Sequence, residues 1–148
     1  MASLAMRGYT MVELIVVMLI MGILGAVAVP RLTDRTALNE RGFRDQLRTM
    51  LNHGRKLAMV QQRDVCVLIG PAQARSVYAV GGACSVAAPV AEPSGQSPFV
   101  VPVPIGVVPG GAALVRFNLR GQPVPNANLN ITVGSLTLSI SRETGIAQ

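Results

Sequence analysis

The chain has 148 residues, carries a net charge of +6, and is half apolar with only 14% charged residues. Soluble domains carry about 25% charged residues, so part of this chain is expected to lie outside bulk water, and a disordered tail, a collagen-like chain and a coiled-coil rod are excluded. One His and two Cys are too few for a four-ligand zinc site, and two Tyr, three Phe and no Trp argue against a stacking platform for single-stranded nucleic acid.

The apolar excess sits near the start. Residues 14–29 are sixteen consecutive apolar or glycine residues. With residues 9–13 the segment is about twenty residues, which at about 1.5 Å per residue spans one bilayer core. A cleaved secretory signal is the competing reading. Such signals carry a small-residue cleavage site after the apolar run, whereas here Pro30-Arg31-Leu32 follows it. Glu13 is the odd residue. A carboxylate costs about 2.5–3.5 kcal/mol at mid-bilayer and less toward the interface. No basic residue lies inside the segment to pair with it. Glu13 either marks the helix edge among headgroups or has a partner supplied from outside the run.

Residues 31–63 turn amphipathic. Leu38, Phe43, Leu47, Met50, Leu51, Leu57 and Ala58 recur at three- and four-residue spacing, while Arg41, Arg44, Arg48, Arg55 and Lys56 occupy the other side. The spacing predicts one long helix, a membrane half followed by an amphipathic half. Its weak points are Gly22, Gly25 and Pro30, and Thr33-Asp34 offers an alternative helix start.

The remainder reads as β-rich. Residues 64–69 and 75–80 form two predicted strands around Gly70-Pro71. Residues 81–111, rich in Gly, Pro, Ser and Ala, read as a long loop with at most one edge strand. A further strand is expected over 113–119, then a turn at Arg120-Gly121-Gln122-Pro123, then a hairpin of 129–133 and 136–141 around Gly134-Ser135. His53 stands alone on its helix, and no Ser or Cys lies near it at a nucleophile spacing, so the expectation is no enzyme and no cofactor. Ser135, Ser139 and Ser141 read as ordinary strand residues.

Arg7-Gly8-Tyr9-Thr10-Met11-Val12-Glu13-Leu14, followed by the apolar run and Pro30, resembles the class III signal of type IV pilins and type II secretion pseudopilins. The resemblance implies an α+β pilin fold: a long N-terminal helix on a small antiparallel β-domain. It divides the chain into a leader (1–8), a transmembrane and assembly helix (9–30), an amphipathic helix (31–63) and a β-rich periplasmic domain (64–148). It implies cleavage by a prepilin peptidase after Gly8 and methylation at Tyr9, where the family more often has Phe or Met. Glu13 would then pair with a neighbouring subunit's N-terminal amine during assembly. The implied partners are other pilins, the peptidase, an inner-membrane assembly platform and the lipid bilayer. The implied location is the inner membrane, N-terminus inside and C-terminal domain periplasmic, then the filament. Charge counting alone does not set that orientation, because Arg7 precedes the run and Arg31 and Arg35 follow it.

Two further blocks refine the likeness. Phe117 to Pro123 and Arg142 to Gly145 resemble the C-terminal blocks of GspH/FimT-type minor pseudopilins. Arg41 to Gln46 and Gln61 to Val67 are more similar to minor pilins of the mannose-sensitive haemagglutinin (MSHA) pilus, of the MshC kind. An MSHA-like minor pilin is therefore the leading expectation, with a GspH-like pseudopilin of a type II secretion system as the alternative. A FimT-like DNA-binding pilin is the rival from another class; Arg116, Arg120 and Arg142 would serve it, but residues 143–148 hold no basic residue, so nucleic acid is disfavoured. The implied periplasmic location favours a Cys66–Cys84 disulfide over two free thiols.

Overall fold

The structure is a computed structural model; it describes the backbone of residues 10–33 and 35–148 and the side chains of residues 10–26 and 35–148. The chain divides into two compact units, Met1–Arg35 and Thr36–Gln148. The first holds one helix, α1 (Met11–Thr33), which runs through Gly22, Gly25 and Pro30. The second is built on α2 (Arg35–Gln61). Helices α1 and α2 together cover the stretch read from the sequence as one long helix in two halves. Asp34, the possible start read at Thr33-Asp34, lies outside the described residues.

The second unit takes its shape from α2. Phe43, Leu47, Met50, Leu51, Gly54 and Ala58 are buried, a spacing of three and four that draws one stripe down the helix. Leu38, placed in that stripe by the sequence, is 67% exposed. It stands five residues before Phe43, about 140° around the helix, so it misses the buried face. The helix ends where Gln62 takes a left-handed conformation (φ 51°) and its side-chain amide donates to Met59 O at 2.7 Å. This closes the last turn in the way a glycine commonly does.

The buried stripe meets two antiparallel sheets. The larger has the order β3-β2-β1-β6-β7, with β4 also paired to β2; the smaller is β5-β8-β9. The strands are β1 (Val65–Ile69), β2 (Gln73–Val80), β3 (Ala83–Pro89), β4 (Val100–Pro102), β5 (Pro109–Gly111), β6 (Leu114–Phe117), β7 (Pro123–Val124), β8 (Leu129–Val133) and β9 (Leu136–Ile140). The β1–β2 and β8–β9 hairpins stand where alternation placed them. Residues 81–111 differ from expectation: three short strands replace the long loop. One of them, β5, is Pro-Gly-Gly, and at Gly111 (φ +80°) a Cβ would run into Asn130 O, so only glycine lets β5 lie against β8 there.

One core joins these layers. Val65, Val67 and Ile69 of β1, Val115 and Phe117 of β6, and Ile131, Val133, Leu138 and Ile140 of the small sheet pack with the α2 stripe. Gly54 lets sheet and helix approach, since a Cβ there would meet Val65 Cγ1 at 3.2 Å. Beyond β9 the chain turns back at Gly145, and Ser139 and Gln148 exchange backbone hydrogen bonds at 2.9 and 3.0 Å.

Candidate functional site

The N-terminal helix is the first candidate. Its start is locally encoded: Thr10 Oγ1 accepts the Glu13 N–H at 3.3 Å, and Thr10 O accepts the N–H groups of Glu13 and Leu14 at 3.1 and 3.3 Å. Thr10-x-x-Glu13 has the spacing of a capping box, a local signal that adds Thr10 to the residues expected at this site. Glu13 therefore sits in the first turn, where the helix dipole favours a carboxylate. Gly8 and Tyr9, the expected processing residues, and the leader at 1–8 lie outside the described residues.

No side chain described on α1 is buried. Met11 is 84% exposed, Met18 69% and Leu24 63%, and every described residue between them is exposed as well. A helix apolar on all sides is a buried helix in its working state, because water gives such a surface no favourable partner. At Gly22 and Gly25 a Cβ would meet nothing within 4 Å. Among the described residues no helix is long and apolar enough to cross a membrane. The described side chains of α1 end at residue 26, inside the apolar run of residues 14–29.

The folded unit carries its candidate residues differently. Cys66 and Cys84 form a disulfide, with Cα atoms 5.8 Å apart. The bridge joins β1 to β3, the strands on either side of β2, whose pairing with β3 is irregular between Val77 and Ala79. His53 makes a helix-to-loop contact: Nε2 lies 3.1 Å from Ala91 O and the ring meets Phe99 edge-on at 5.8 Å. The three arginines weighed for DNA are mostly engaged. Arg116 Nε donates to Asp64 Oδ2 at 2.9 Å, its other nitrogens reach Asp64 and Gly82 O, and Arg142 lies 3.9 Å from Glu143. Arg120 is exposed.

The two C-terminal sequence blocks have a structural reason. Asn118 Oδ1 accepts the N–H groups of Arg120 and Gln122, both at 2.9 Å, which shapes the turn after β6. Gly121 (φ +76°) and Gly145 (φ +67°) then pack against Arg55 of α2, whose guanidinium donates to Thr144 O. One turn of α2 closer to its start, Asn52 accepts Ala147 N–H at 3.1 Å and donates to Ala147 O at 3.3 Å, and a turn before that Arg48 Nε donates to Ala147 O at 3.1 Å. Arg48 and Arg55, read from the sequence as part of the basic side opposite the apolar stripe, are thus, with Asn52, the latch that holds residues 144–147 on the helix.

Comparison with known proteins agrees with both halves. Residues 4–29 match the family described as the prokaryotic N-terminal methylation motif. No curated protein matches the chain in sequence. In structure the chain is similar to the type IV minor pilin FimU of Pseudomonas aeruginosa. One crystal form gives a TM-score of 0.61 at 19% identity over 79% of this chain and 90% of that one, and a second gives 0.55 at 19% identity over 73% and 90%. The fold is the pilin fold. The chain thus combines an N-terminal methylation motif over residues 4–29 with the fold of a minor pilin.

Proposed function

We propose that the protein is a minor pilin, held by its apolar helix in the inner membrane and then drawn into a type IV filament. The observation that carries this is the contrast along one chain: an apolar helix with no described side chain buried beside a unit that completes its own core. Such a helix needs the company of lipid first and of other subunits' helices later. The methylation motif and the likeness to FimU support the same reading.

On this reading a prepilin peptidase cuts after Gly8 and methylates Tyr9, and the platform in the membrane passes the subunit to the filament. The Glu13 carboxylate neutralises a neighbour's N-terminal amine, which fixes axial register among otherwise equivalent apolar contacts. Gly22, Gly25 and Pro30 are where α1 would bend or loosen as subunits pack. An MSHA-like pilus is the finer assignment, and a type II secretion pseudopilus the alternative. The test is the intact mass and the fractionation of the native protein. The mass should be that of residues 9–148 with one added methyl group, and the protein should enter sheared filaments only in peptidase-competent cells. A full-length chain confined to membranes of such cells would contradict the reading.

A further inference from the structure

Ile105, in the loop between β4 and β5, is 96% exposed, the highest value among the large apolar side chains described, and Val108 beside it is 76% exposed. Single exposed apolar residues are ordinary, but this pair is held out by a stiff, anchored loop. Val107 between them is buried, and its N–H donates to Pro104 O at 3.1 Å. Val103 N–H donates to Ala72 O at 2.9 Å. Pro102, Pro104 and Pro109 restrict the backbone, and Gly106 (φ +87°) makes the turn. The loop turns Val107 and, in part, Val103 toward the core and presents Ile105 and Val108 to the outside.

Its place in the unit points to what lies outside. Gly106 packs on Thr36, whose Cγ2 would stand 3.7 Å from a Cβ there. Thr36 is the first residue of the folded unit, and the unit carrying the apolar helix ends at Arg35. From Val29, where the apolar run ends, to Thr36 the chain can reach about 10 Å if helical and about 25 Å if extended. This covalent tether sets an upper limit of about 25 Å between Val29 and Thr36, the residue against which the loop packs. Val60, equally apolar and 78% exposed, sits toward the far end of α2, about 36 Å from Thr36 along the helix. Arg31 and Arg35 lie in the connecting stretch, where long basic side chains at a helix end reach the headgroup depth.

We propose that residues 103–108 form a second membrane contact: Ile105 and Val108 dip into the headgroup–acyl boundary of the bilayer that holds α1. The inference rests on the membrane-anchored reading of α1 given above. It adds that the folded unit touches the surface through this loop until the subunit is extracted.

The chain has no tryptophan, so Ile105→Trp, Ile20→Trp and Val60→Trp each supply a single reporter at an exposed position. The processed full-length protein is placed in vesicles of phosphatidylethanolamine and phosphatidylglycerol, with bromines high or low on the acyl chains. Ile105→Trp should be quenched about twofold by the shallow bromines, the depth at which interfacial apolar groups lie. Ile20→Trp should be quenched most by the deep bromines, and Val60→Trp by neither. If Ile20→Trp is quenched and Ile105→Trp is not, the loop proposal falls while the anchor stands. Blue-shifted but unquenched Ile105→Trp emission would mark a protein neighbour in place of lipid, and the loop proposal would fall in that case too. If Ile20→Trp is not quenched, the anchor reading falls and takes this one with it. Equal quenching of Val60→Trp and Ile105→Trp would overturn the assignment to the loop.

Discussion

The two helices use apolar residues in opposite ways. Leu19 of α1 is 61% exposed, whereas Leu47 of α2 is fully buried. In α2 apolar residues fall on one stripe and polar ones elsewhere, so the helix satisfies itself by folding. In α1 they fall on every side, so nothing within the described structure satisfies it. The difference separates two parts of one chain: α2 and its sheets make a stable body, and α1 keeps an apolar surface that the proposed function assigns to lipid and neighbouring subunits.

The same substitution at matched residues is the strongest way to break that contrast. Leu47→Ala should destabilise the folded unit by about 3 kcal/mol, within the range for a buried leucine. Leu19→Ala should leave its unfolding midpoint unchanged in detergent. Urea titration followed by circular dichroism reads both, and an equal loss in the two variants would show that α1 contributes to the body's stability.

Removing the staple should cost nearly as much. Replacing Cys66 and Cys84 by serine opens a link between residues 18 apart in sequence, which the chain-entropy model values at about 3 kcal/mol, less whatever structure the open form retains. The same urea titration with and without reductant checks it, and reductant should shift only the parent protein.

Smaller effects test the local readings. Arg116→Met removes the partner of Asp64. The two side chains are 30% and 18% exposed, so solvent screening limits the expected loss to about 1 kcal/mol. Ser76→Ala should do the reverse. Ser76 Oγ is buried with no hydrogen-bond partner among the described residues and faces Gly54. Deleting it should leave stability unchanged or raise it by about 1 kcal/mol. A clear loss in that variant would mean that the hydroxyl has a partner, such as a bound water.

Much of this architecture was legible because the pattern was local. The apolar run, the stripe at Phe43, Leu47, Met50 and Leu51, and the hairpin at Gly134 announce themselves by period. The short strands did not. β3 is mostly Ala, Ser and Pro, β4 is three residues ending in proline, and β5 is Pro-Gly-Gly. β3 and β5 are strands because partners in β2 and β8 offer backbone groups to them, not because their own residues favour extension, and the two valines of β4 make too short a run to announce a strand. The C-terminal latch was hidden for a related reason. Arg48, Asn52 and Arg55 look like any polar helix face until the carbonyls of residues 144 and 147 arrive beside them. At the candidate site the motif around Gly8 and Glu13 was readable. The capping role of Thr10 was masked, because the charge of Glu13 and its place in the first turn are carried by one side chain.

Two proposed roles of Glu13 can be told apart: completing the capping box opened by Thr10, and pairing with a neighbouring subunit's amine. Glutamine serves in a capping box as glutamate does, but carries no charge. The measurement is the ratio of protein in sheared filaments to protein in membranes, by immunoblot, for wild type, Glu13→Ala and Glu13→Gln. All three should insert in the membrane equally, since losing a charge makes the run easier to partition. If Glu13 pairs with a neighbour's amine, both variants should be depleted from filaments to a similar degree, glutamine included. Wild-type filament levels for Glu13→Gln would contradict the account and leave Glu13 as the residue that starts a helix.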